Sequence, residues 1–465
     1  MNEEKALEQA LRSVYTGIPE TVHQRVEETL SAILQSQKPR RRKLIFWMPA
    51  AAVGIVFLCI FASGFVSPTM AQYLERMPLV GIAFKRAGDP GIQNYAGNAG
   101  LHLTATDQDI SITLDQAVYD GARLSIGFIH DSNVRISLSP AKRLLLIDGQ
   151  EIYGSGGAVS KEIGDDQTAT VYHVVPSKEL PDSFQVTLTI HEVILTEGSR
   201  TETVEGSWRF RLHVDKISEG IFIRNFDPPL ARTHEDTTIE VTGIVRTPLT
   251  TKVTFNLTAP EKYQNHLTGE NQPEEIIFHQ LRFGLTDDRG VQLQPLSQGG
   301  RGGAPGEPFQ YEALFEPVHP EAEQVILQSL EETIRMKKVG DGMYSGATPP
   351  EVVRYDMPDA FPFTVKQGDA GEITFHRIEF YPEKTMITYS IQGLIPHEQD
   401  GAWWMEDDAG NKFDFDRYDQ IRLNDQPFTY EVAFPPVDPA RLKLAVVQLK
   451  APKLIKELEI PIPLK

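Results

Sequence analysis

Residues 44–66 contain no charged side chain over 23 consecutive positions, and this run constrains the fold more than any other feature. As a helix it rises about 34 Å, enough to cross a hydrocarbon core of about 30 Å. A basic cluster precedes the run and holds that end of a membrane helix in the cytoplasm. The cluster consists of Lys38, Arg40, Arg41, Arg42 and Lys43. The run predicts a single-pass helix in the cell membrane, with a cytoplasmic N-terminus and extracellular C-terminal domains.

Two other interpretations of this run fit less well. A cleaved signal peptide has a short basic start and an apolar stretch of about 7–15 residues. Here 43 residues come before the run, and the run itself is longer. A helix buried in a soluble core is also disfavoured, because neither flank resembles a core. We therefore retain the membrane anchor and expect the lipid bilayer as one partner.

Charge differs between the two sides of the run. Residues 1–43 hold eight Lys or Arg and six Asp or Glu, whereas the rest of the chain holds 37 basic and 58 acidic residues. Such an acidic ectodomain argues against a nucleic-acid partner, since phosphate binding requires basic patches. The single cysteine, Cys59, lies within the apolar run. The outer domains therefore lack disulfides and depend on their hydrophobic cores.

Residues 1–43 carry two apolar stripes at helical spacing. The second stripe begins after Pro19, which suits the first turn of a new helix. The stripes consist of Leu7, Leu11, Val14, Val22, Val26, Leu30 and Ile33. Two short amphipathic helices cannot bury these faces alone, so they pack on each other, on the membrane or on another protein. The stripes predict a face that binds a cytoplasmic partner; the alternative is a helical hairpin that only precedes the membrane segment.

A helical stalk is expected at residues 67–98. Ser67-Pro68 resembles an N-cap followed by proline at the first helical position. Pro78 interrupts this helix, and a second apolar stretch follows until Gly88 and Pro90 end it. We expect the second stretch to lie along the membrane surface or under the first folded domain.

The remainder of the chain contains a repeat. Three segments align without gaps, and each reads as an alternating strand, a turn and a second alternating strand. They begin at Ile112, Ile239 and Ile373, with aromatic rings aligned at Phe128, Phe255 and Tyr389. Their spacing is that of whole domains, and short alternating strands with Gly and Pro turns are typical of immunoglobulin-like sandwiches.

The predicted fold class is mainly β: a short α-helical head, one transmembrane helix and three tandem immunoglobulin-like β-sandwich domains. The predicted sandwiches occupy residues 99–216, 236–367 and 368–465, with a linker at 217–235. Their expected closing strands lie at residues 208–214, 361–366 and 458–464.

Signals for chemistry are weak in this sequence. No HExxH motif or His/Cys cluster is present, and residues 154–157 (Gly-Ser-Gly-Gly) read as a flexible hairpin loop rather than a nucleophile motif. We predict no catalytic residue, no cofactor and no metal site, hence a protein that is not an enzyme. Trp403 and Trp404 are the best candidates for a surface contact, because adjacent side chains of a strand face opposite sides and one should point outward.

Several short motifs resemble a bacterial membrane-protein family, the domain-of-unknown-function family numbered 4179. They are Ser67-Pro68, Leu74, Pro78-Leu79-Val80-Gly81, Phe84, Asn94-Tyr95, residues 118–124 (Val-Tyr-Asp-Gly-Ala-Arg-Leu) and Trp208-Arg209-Phe210. The resemblance covers most of residues 40–216, and residues 370–465 resemble a further sandwich of unknown function. It implies a cytoplasmic head, one span and immunoglobulin-like outer domains. Members are often encoded beside extracytoplasmic-function sigma factors, and some are described as anti-sigma factors or negative effectors.

The resemblance implies an anti-sigma-like regulator, in which residues 5–34 hold an extracytoplasmic-function sigma factor and the outer domains sense the envelope. This chain departs from the zinc-type anti-sigma pattern, since it has no His-x3-Cys-x2-Cys motif. The alternative is an anchored protein that binds an unknown envelope ligand or protein, or is structural, and whose head only sets topology.

Overall fold

The computed structural model describes residues 81–93, 100–131, 135–138, 143–164, 167–197, 200–263, 274–302, 308–340, 343–346, 350–358, 360–413, 420–423, 428–438 and 442–465. All of them belong to one compact unit of the chain, Met77–Lys465. The predicted head, the apolar run and most of the stalk lie outside the described residues, so those predictions stand as made. No helix within the described residues has both the length and the apolar character needed to span a bilayer.

The described chain is mainly β and begins with two short helices, followed by the first unit (residues 100–216). The elements are α1 Ile82–Ala87, α2 Pro90–Gln93, β1 Leu103–Asp107, β2 Ile110–Tyr119, β3 Leu124–Asp131, β4 Arg135–Leu138, β5 Arg143–Ile147, β6 Gln150–Glu151, β7 Gly154–Gly164, β8 Gln167–Pro176, β9 Ser183–Glu197 and β10 Arg200–Asp215. One sheet has the order β1-β2-β3-β8-β7, and the other has β10-β9-β5-β6 with β4 also on β9. Trp208 is fully buried in the core between them.

The second unit begins at residue 217 with strands on two further sheets. Its elements are β11 Phe222–His234, β12 Thr237–Arg246, β13 Thr251–Thr258, a 3-10 turn Glu261–Tyr263, β14 Glu275–Asp287, β15 Pro295–Arg301, β16 Phe309–Phe315, β17 Gln324–Gly340 and β18 Met343–Gly346. The sheet orders are β11-β12-β13-β16-β15 and β14-β17-β18. The predicted linker at 217–235 is therefore wrong in part, because most of it forms β11, an edge strand paired with β12.

The third unit spans residues 350–449. Its elements are β19 Val352–Asp356, β20 Phe363–Lys366, β21 Gly371–Phe380, β22 Thr385–Gly393, α3 Pro396–Asp400, β23 Trp403–Asp407, β24 Lys412–Phe413, β25 Ile421–Arg422, β26 Thr429–Phe434 and β27 Leu442–Val447. The sheet orders are β19-β27-β23-β24 and β20-β21-β22-β26-β25. The prediction that residues 361–366 close the second domain is wrong, because β20 pairs with β21 of the third unit.

The C-terminal residues return to the second unit. They form β28 Lys453–Leu454, a 3-10 turn Lys456–Leu458 and β29 Ile460–Pro463. Both strands pair with β17, and the buried side chains of Leu458, Ile460 and Ile462 join the second core. The prediction that residues 458–464 close the third domain is therefore wrong. The second unit consists of residues 217–346 and 450–465, and the third unit is inserted into it.

The repeated segments form three similar hairpins, β2–β3, β12–β13 and β21–β22, which confirms the alternation predicted for them. Their aligned rings Phe128, Phe255 and Tyr389 are all buried. Each hairpin also has a register shift at the same aligned position, directly after Leu114, Val241 or Phe375. A bulge of this kind changes the direction in which a side chain points. The three units share this backbone feature but have a different residue at the bulge.

The insertion predicts which core a C-terminal substitution will damage. Ile462→Ala is expected to lower the free energy of unfolding of the second unit by about 2–5 kcal/mol, because it opens a cavity in that core. Hydrogen exchange during urea unfolding should show lost protection in β12 and retained protection in β22. Ile373→Ala, fully buried in the third core, is the matched control with the reverse pattern. Loss of protection in β22 from Ile462→Ala would contradict the insertion.

Candidate functional site

The first unit holds the segment that precedes it in the chain. Residues 82–93, which we call the docked segment, lie on the outer face of the β1-β2-β3-β8-β7 sheet. The backbone N–H of Ala83 donates to Asp115 Oδ2 at 3.0 Å, and that of Phe84 donates to Gln116 Oε1 at 3.3 Å. The first N–H groups of a helix lack partners within it, and no cap of its own side chains supplies one here. The bulge of the first hairpin therefore satisfies the start of α1.

A glycine allows α1 to approach the sheet closely. A Cβ atom at Gly127 would lie 2.7 Å from the Cβ of Ala83 and 3.1 Å from the ring of Phe84. The positions aligned with Gly127 in the other two hairpins hold Thr254 and Thr388. Their extra atoms would exclude a helix at this distance. Of the three hairpins, the first is shaped for the docked segment.

An apolar cluster holds the docked segment in place. Its buried members from the segment are Ala83, Phe84, Ala87 and Ile92, and they pack against Val118, Ala169, Val171 and Leu249. Full burial of a side chain the size of Phe or Ile contributes about 1.5–3 kcal/mol. Leu249 belongs to the second unit, so the cluster joins the segment to both units.

A buried ion pair lies at the centre of the contact. Arg123 donates from Nη2 to Asp89 Oδ1 at 2.9 Å and from Nη1 to Asp89 Oδ2, and only 2% of Arg123 is exposed. Asp89 also accepts the backbone N–H of Gly91 at 3.0 Å. Burial alone raises the pKa of Asp89, but the hydrogen bonds and charge of Arg123 outweigh it and hold the pKa below its usual value. Asp89 is therefore a carboxylate at neutral pH.

His173 completes the polar cluster as a neutral residue. Its Nδ1 shares a hydrogen bond of 2.9 Å with Ser125 Oγ, and its Nε2 lies 3.7 Å from Asp89 Oδ2. Burial and the charge of Arg123 lower the pKa of His173 to about 4, although Asp89 acts in the opposite direction. Because His173 is neutral, Arg123 is the cation that balances the charge of Asp89.

The turn of the second hairpin closes the other side of this site. Arg123 Nη2 donates to the carbonyl of Leu249 at 3.2 Å, and Thr247 Oγ1 donates to Asp120 Oδ2 at 2.6 Å. Asp120 also accepts the backbone N–H of Arg123 at 2.8 Å. Asp120 and Thr247 hold the same position in the repeat, so corresponding turns of two units meet at the docked segment.

The family-like motif at residues 118–124 contributes Asp120 and Arg123 to this site, but the sequence did not reveal what they bind. A further signal was present in the alignment of the hairpins. Three positions of the first hairpin differ in residue type from both other copies. Asp115 and Gln116 lie at the bulge, and Gly127 lies on the outer face of the sheet. Comparison of the three copies position by position would have singled out this surface.

The predicted tryptophan pair is divided between two environments. Trp403 is 2% exposed in the third core, so it offers no surface contact. Trp404 lies on the other face of β23, where its Nε1 donates to Glu406 at 3.0 Å and the Lys412 ammonium lies 3.9 Å from its ring centroid. Trp404 is therefore the ring that points away from the core, as predicted for one of the pair, and it is half-buried.

Residues 154–157 and Asp407 have structural roles in the described chain. Residues 154–157 begin the edge strand β7, so the prediction of a flexible loop there is wrong. Asp407 accepts the backbone N–H groups of Ala409 and Asn411, each at 2.9 Å, and thereby forms a turn. Among the described residues, no group of three or more His, Cys, Asp or Glu side chains is placed to hold a metal ion.

The second and third units meet at a different joint. Arg422 pairs with Glu316 at 2.9 Å, Arg282 pairs with Glu398, and His397 Nε2 hydrogen-bonds the Gln292 carbonyl at 2.9 Å. A cavity of about 170 Å³ lies beside these contacts. The charged side chains at this joint already form ion pairs with each other, so we interpret the joint as a structural contact.

The fold and this site define a class: a β-sheet protein of several units whose first unit binds the chain segment that leads into it. Residues 40–132 match the family described as "Domain of unknown function (DUF4179)". This match confirms the resemblance found in the sequence for those residues, whereas the resemblance of residues 133–216 and 370–465 stays a prediction. The match contains the docked segment together with Asp115, Asp120, Arg123 and Gly127.

Solved structures give weaker similarities, and comparison with curated proteins gives no significant match. A conserved domain protein from Bacillus anthracis is 14% identical, with 56% of this chain and 82% of that chain covered and a TM-score of 0.39. Bovine butyrophilin is 10% identical, with coverages of 49% and 96% and a TM-score of 0.12. Collagen adhesin from S. aureus is 10% identical, with coverages of 53% and 90% and a TM-score of 0.09. At these scores the similarities support no conclusion.

Arg123→Met tests the ion pair. The substitution leaves Asp89 buried without its cation, and we expect a loss of about 3–5 kcal/mol in the stability of the docked segment on the first unit. Faster hydrogen exchange in residues 82–93 would measure this loss. Adding Asp89→Asn should recover part of it, because both charges are then absent.

Arg377→Met is the matched control for this prediction. The Arg377 side chain is 55% exposed beside Glu379, whose side chain is 36% exposed, and such surface pairs contribute about 0–1 kcal/mol. Equal effects of the two Arg→Met substitutions on residues 82–93 would contradict the assignment of Arg123.

His173 predicts a pH dependence of the same site. Its folded pKa of about 4 lies below the ordinary value of 6.5, so the unfolded chain binds a proton that the folded chain excludes. The stability of the first unit should be complete above pH 6.5 and fall as the pH drops towards 4. The pKa of Asp89 lies below its ordinary value of 3.8, so Asp89 stabilises the folded state throughout this range. Its contribution to stability is lost only at lower pH.

His173→Asn should flatten this slope in urea denaturation followed by hydrogen exchange at a series of pH values. The exposed His191 provides the control substitution, His191→Asn, for which we expect the wild-type slope. An unchanged slope in His173→Asn would assign the pH dependence to another group.

Proposed function

We propose that this protein is a non-enzymatic single-pass membrane regulator, anti-sigma-like, in which residues 44–66 cross the cell membrane and three immunoglobulin-like outer domains sense the envelope. The docked segment is the observation that supports this proposal most directly. Fifteen residues separate it from the apolar run, and a buried ion pair fastens it to the first unit. A plain tether requires no such contact, whereas a regulator requires one to transmit a change in the outer domains to the anchor.

In this proposal the cytoplasmic partner is an extracytoplasmic-function sigma factor. The apolar stripes of residues 1–43 would bind it, with Val26 and Leu30 near the middle of the second helix. The head lacks the zinc-type motif of some anti-sigma factors, so its binding would depend on these apolar faces. The family match at residues 40–132 supports the membrane-proximal part of the proposal and leaves the head to be tested.

The second candidate is an anchored protein that binds a component of the cell envelope. Trp404 favours it, because a half-buried indole beside Lys412 on a sheet face is a common element of binding surfaces. In that case residues 1–43 only fix the topology, and the third unit carries the activity.

A pull-down from membranes with residues 1–43 as bait distinguishes the two functions. We expect recovery of a sigma factor with the wild-type bait and at least tenfold less with Val26→Asp plus Leu30→Asp. Glu28→Gln, on the opposite side of the predicted helix, is the control and should bind like the wild type. Absence of any sigma factor in both resting and stressed cells would refute the regulator.

Deletion of residues 2–36 tests the alternative in cells. An altered transcriptome with unchanged surface binding supports the regulator. An unchanged transcriptome together with altered envelope binding after Trp404→Ala supports the anchored binding protein.

A further inference from the structure

We propose that the docked segment is a clamp that fixes the angle between the first and second units, so that bending of this joint and release of the segment are one event. The contacts that form the clamp lie within residues 82–250 and do not depend on whether residues 1–43 bind a sigma factor. The signal that the outer domains would pass on is a change in the angle between two domains.

Arg123 lies where the docked segment, the first unit and the second unit meet. Its guanidinium donates to Asp89 of the docked segment and to the Leu249 carbonyl of the second unit. Its backbone belongs to the first unit, so one side chain joins three parts of the chain. Bending at the joint would take the Leu249 carbonyl away from Arg123 and expose the buried pair to water.

The docked segment also packs against the second unit. Ile92 and Leu249 share one apolar cluster. A Cβ atom at Gly91 would lie 2.1 Å from the Leu249 carbonyl oxygen, so the segment and this turn are in close contact. The turn that contains Leu249 therefore cannot move closer to the docked segment. If the turn moved away, the side chain of Ile92 would become exposed to solvent.

The two joints differ in the number of chain connections that cross them. The third unit is joined to the second at both of its ends, because the chain returns in β28 and β29. The first unit is joined to the second by a single connection near Lys216, where Tyr119 and Lys216 form an isolated bridge. A single connection restrains an angle less than two, and the docked segment adds its packing on Leu249 to the direct hydrogen bond between Thr247 and Asp120 at this joint.

Docking of the segment and the angle of the joint must affect each other. If docking of the segment and the angle of the joint share one free energy of coupling, each must affect the other equally. Weakening the segment should loosen the joint, and weakening the joint should expose the segment. A segment that only covers the sheet would show neither effect across the joint.

The experiment uses the full chain in lipid nanodiscs with Cys59→Ala, which leaves no native cysteine. Spin labels at Arg211→Cys and Arg335→Cys report the distance between the first and second units, since both positions are exposed strand residues. Labels at Arg335→Cys and Glu383→Cys report the second joint. Hydrogen exchange in residues 82–93 reports docking.

Gly127→Val crowds α1 without touching the second unit. We expect at least tenfold faster exchange in residues 82–93 and a broadened distance distribution between the first and second units only. Ala83→Gln crowds the same contact from the segment itself and keeps the test valid if Gly127→Val does not fold. Faster exchange with unchanged distances in these variants would overturn the clamp.

Thr247→Val tests the opposite direction. It removes the hydrogen bond to Asp120 between the two units, and with it the bonds that Thr247 Oγ1 accepts from the Leu249 and Thr250 backbone N–H groups, while the segment itself keeps its sequence. We expect faster exchange in residues 82–93, and unchanged exchange there would also overturn the clamp. Arg422→Gln, at the joint of the second and third units, is the control and should alter only the second distance.

Discussion

The ion pair between Asp89 and Arg123 is the interaction on which the arrangement of this protein depends. Burying two charges is costly unless each finds its partner and its remaining hydrogen bonds, and here the partners come from separate parts of the chain. Asp89 is supplied by the segment before the first unit and Arg123 by its hairpin, with the Leu249 carbonyl of the second unit as a further acceptor. The pair therefore specifies one arrangement of three elements.

The three hairpins show how one backbone serves different purposes. All share the bulge, but its residue differs: Asp115 receives α1, Thr242 bonds the Thr254 carbonyl within its own sheet, and His376 bonds Ser390. A shared register with changed side chains lets the first unit acquire a docking surface while its core remains like those of the others. The specialised residues lie on the outer face of the sheet, where they contact the docked segment and take no part in the core between the two sheets.

The sequence predicted the hairpins well because alternation is local and has a period of two. It also placed one ring of the Trp403-Trp404 pair outward for the same reason. It failed for the C-terminal strand because residues 458–464 have the apolar pattern of an inward strand for either sheet, and only long-range pairing with β17 decides. The docking site was beyond such reasoning, since Asp89 and Arg123 are distant in sequence and each reads locally as a turn residue.

The insertion of the third unit has a consequence for how the chain is made. While the third unit is being synthesised, β17 lacks the neighbour that β29 later provides, and the second core lacks Leu458, Ile460 and Ile462. An unpaired strand edge beside an open apolar core is prone to association with other chains. The second unit thus passes through a vulnerable period that the first and third units avoid, and a helper that shields strand edges would act there first.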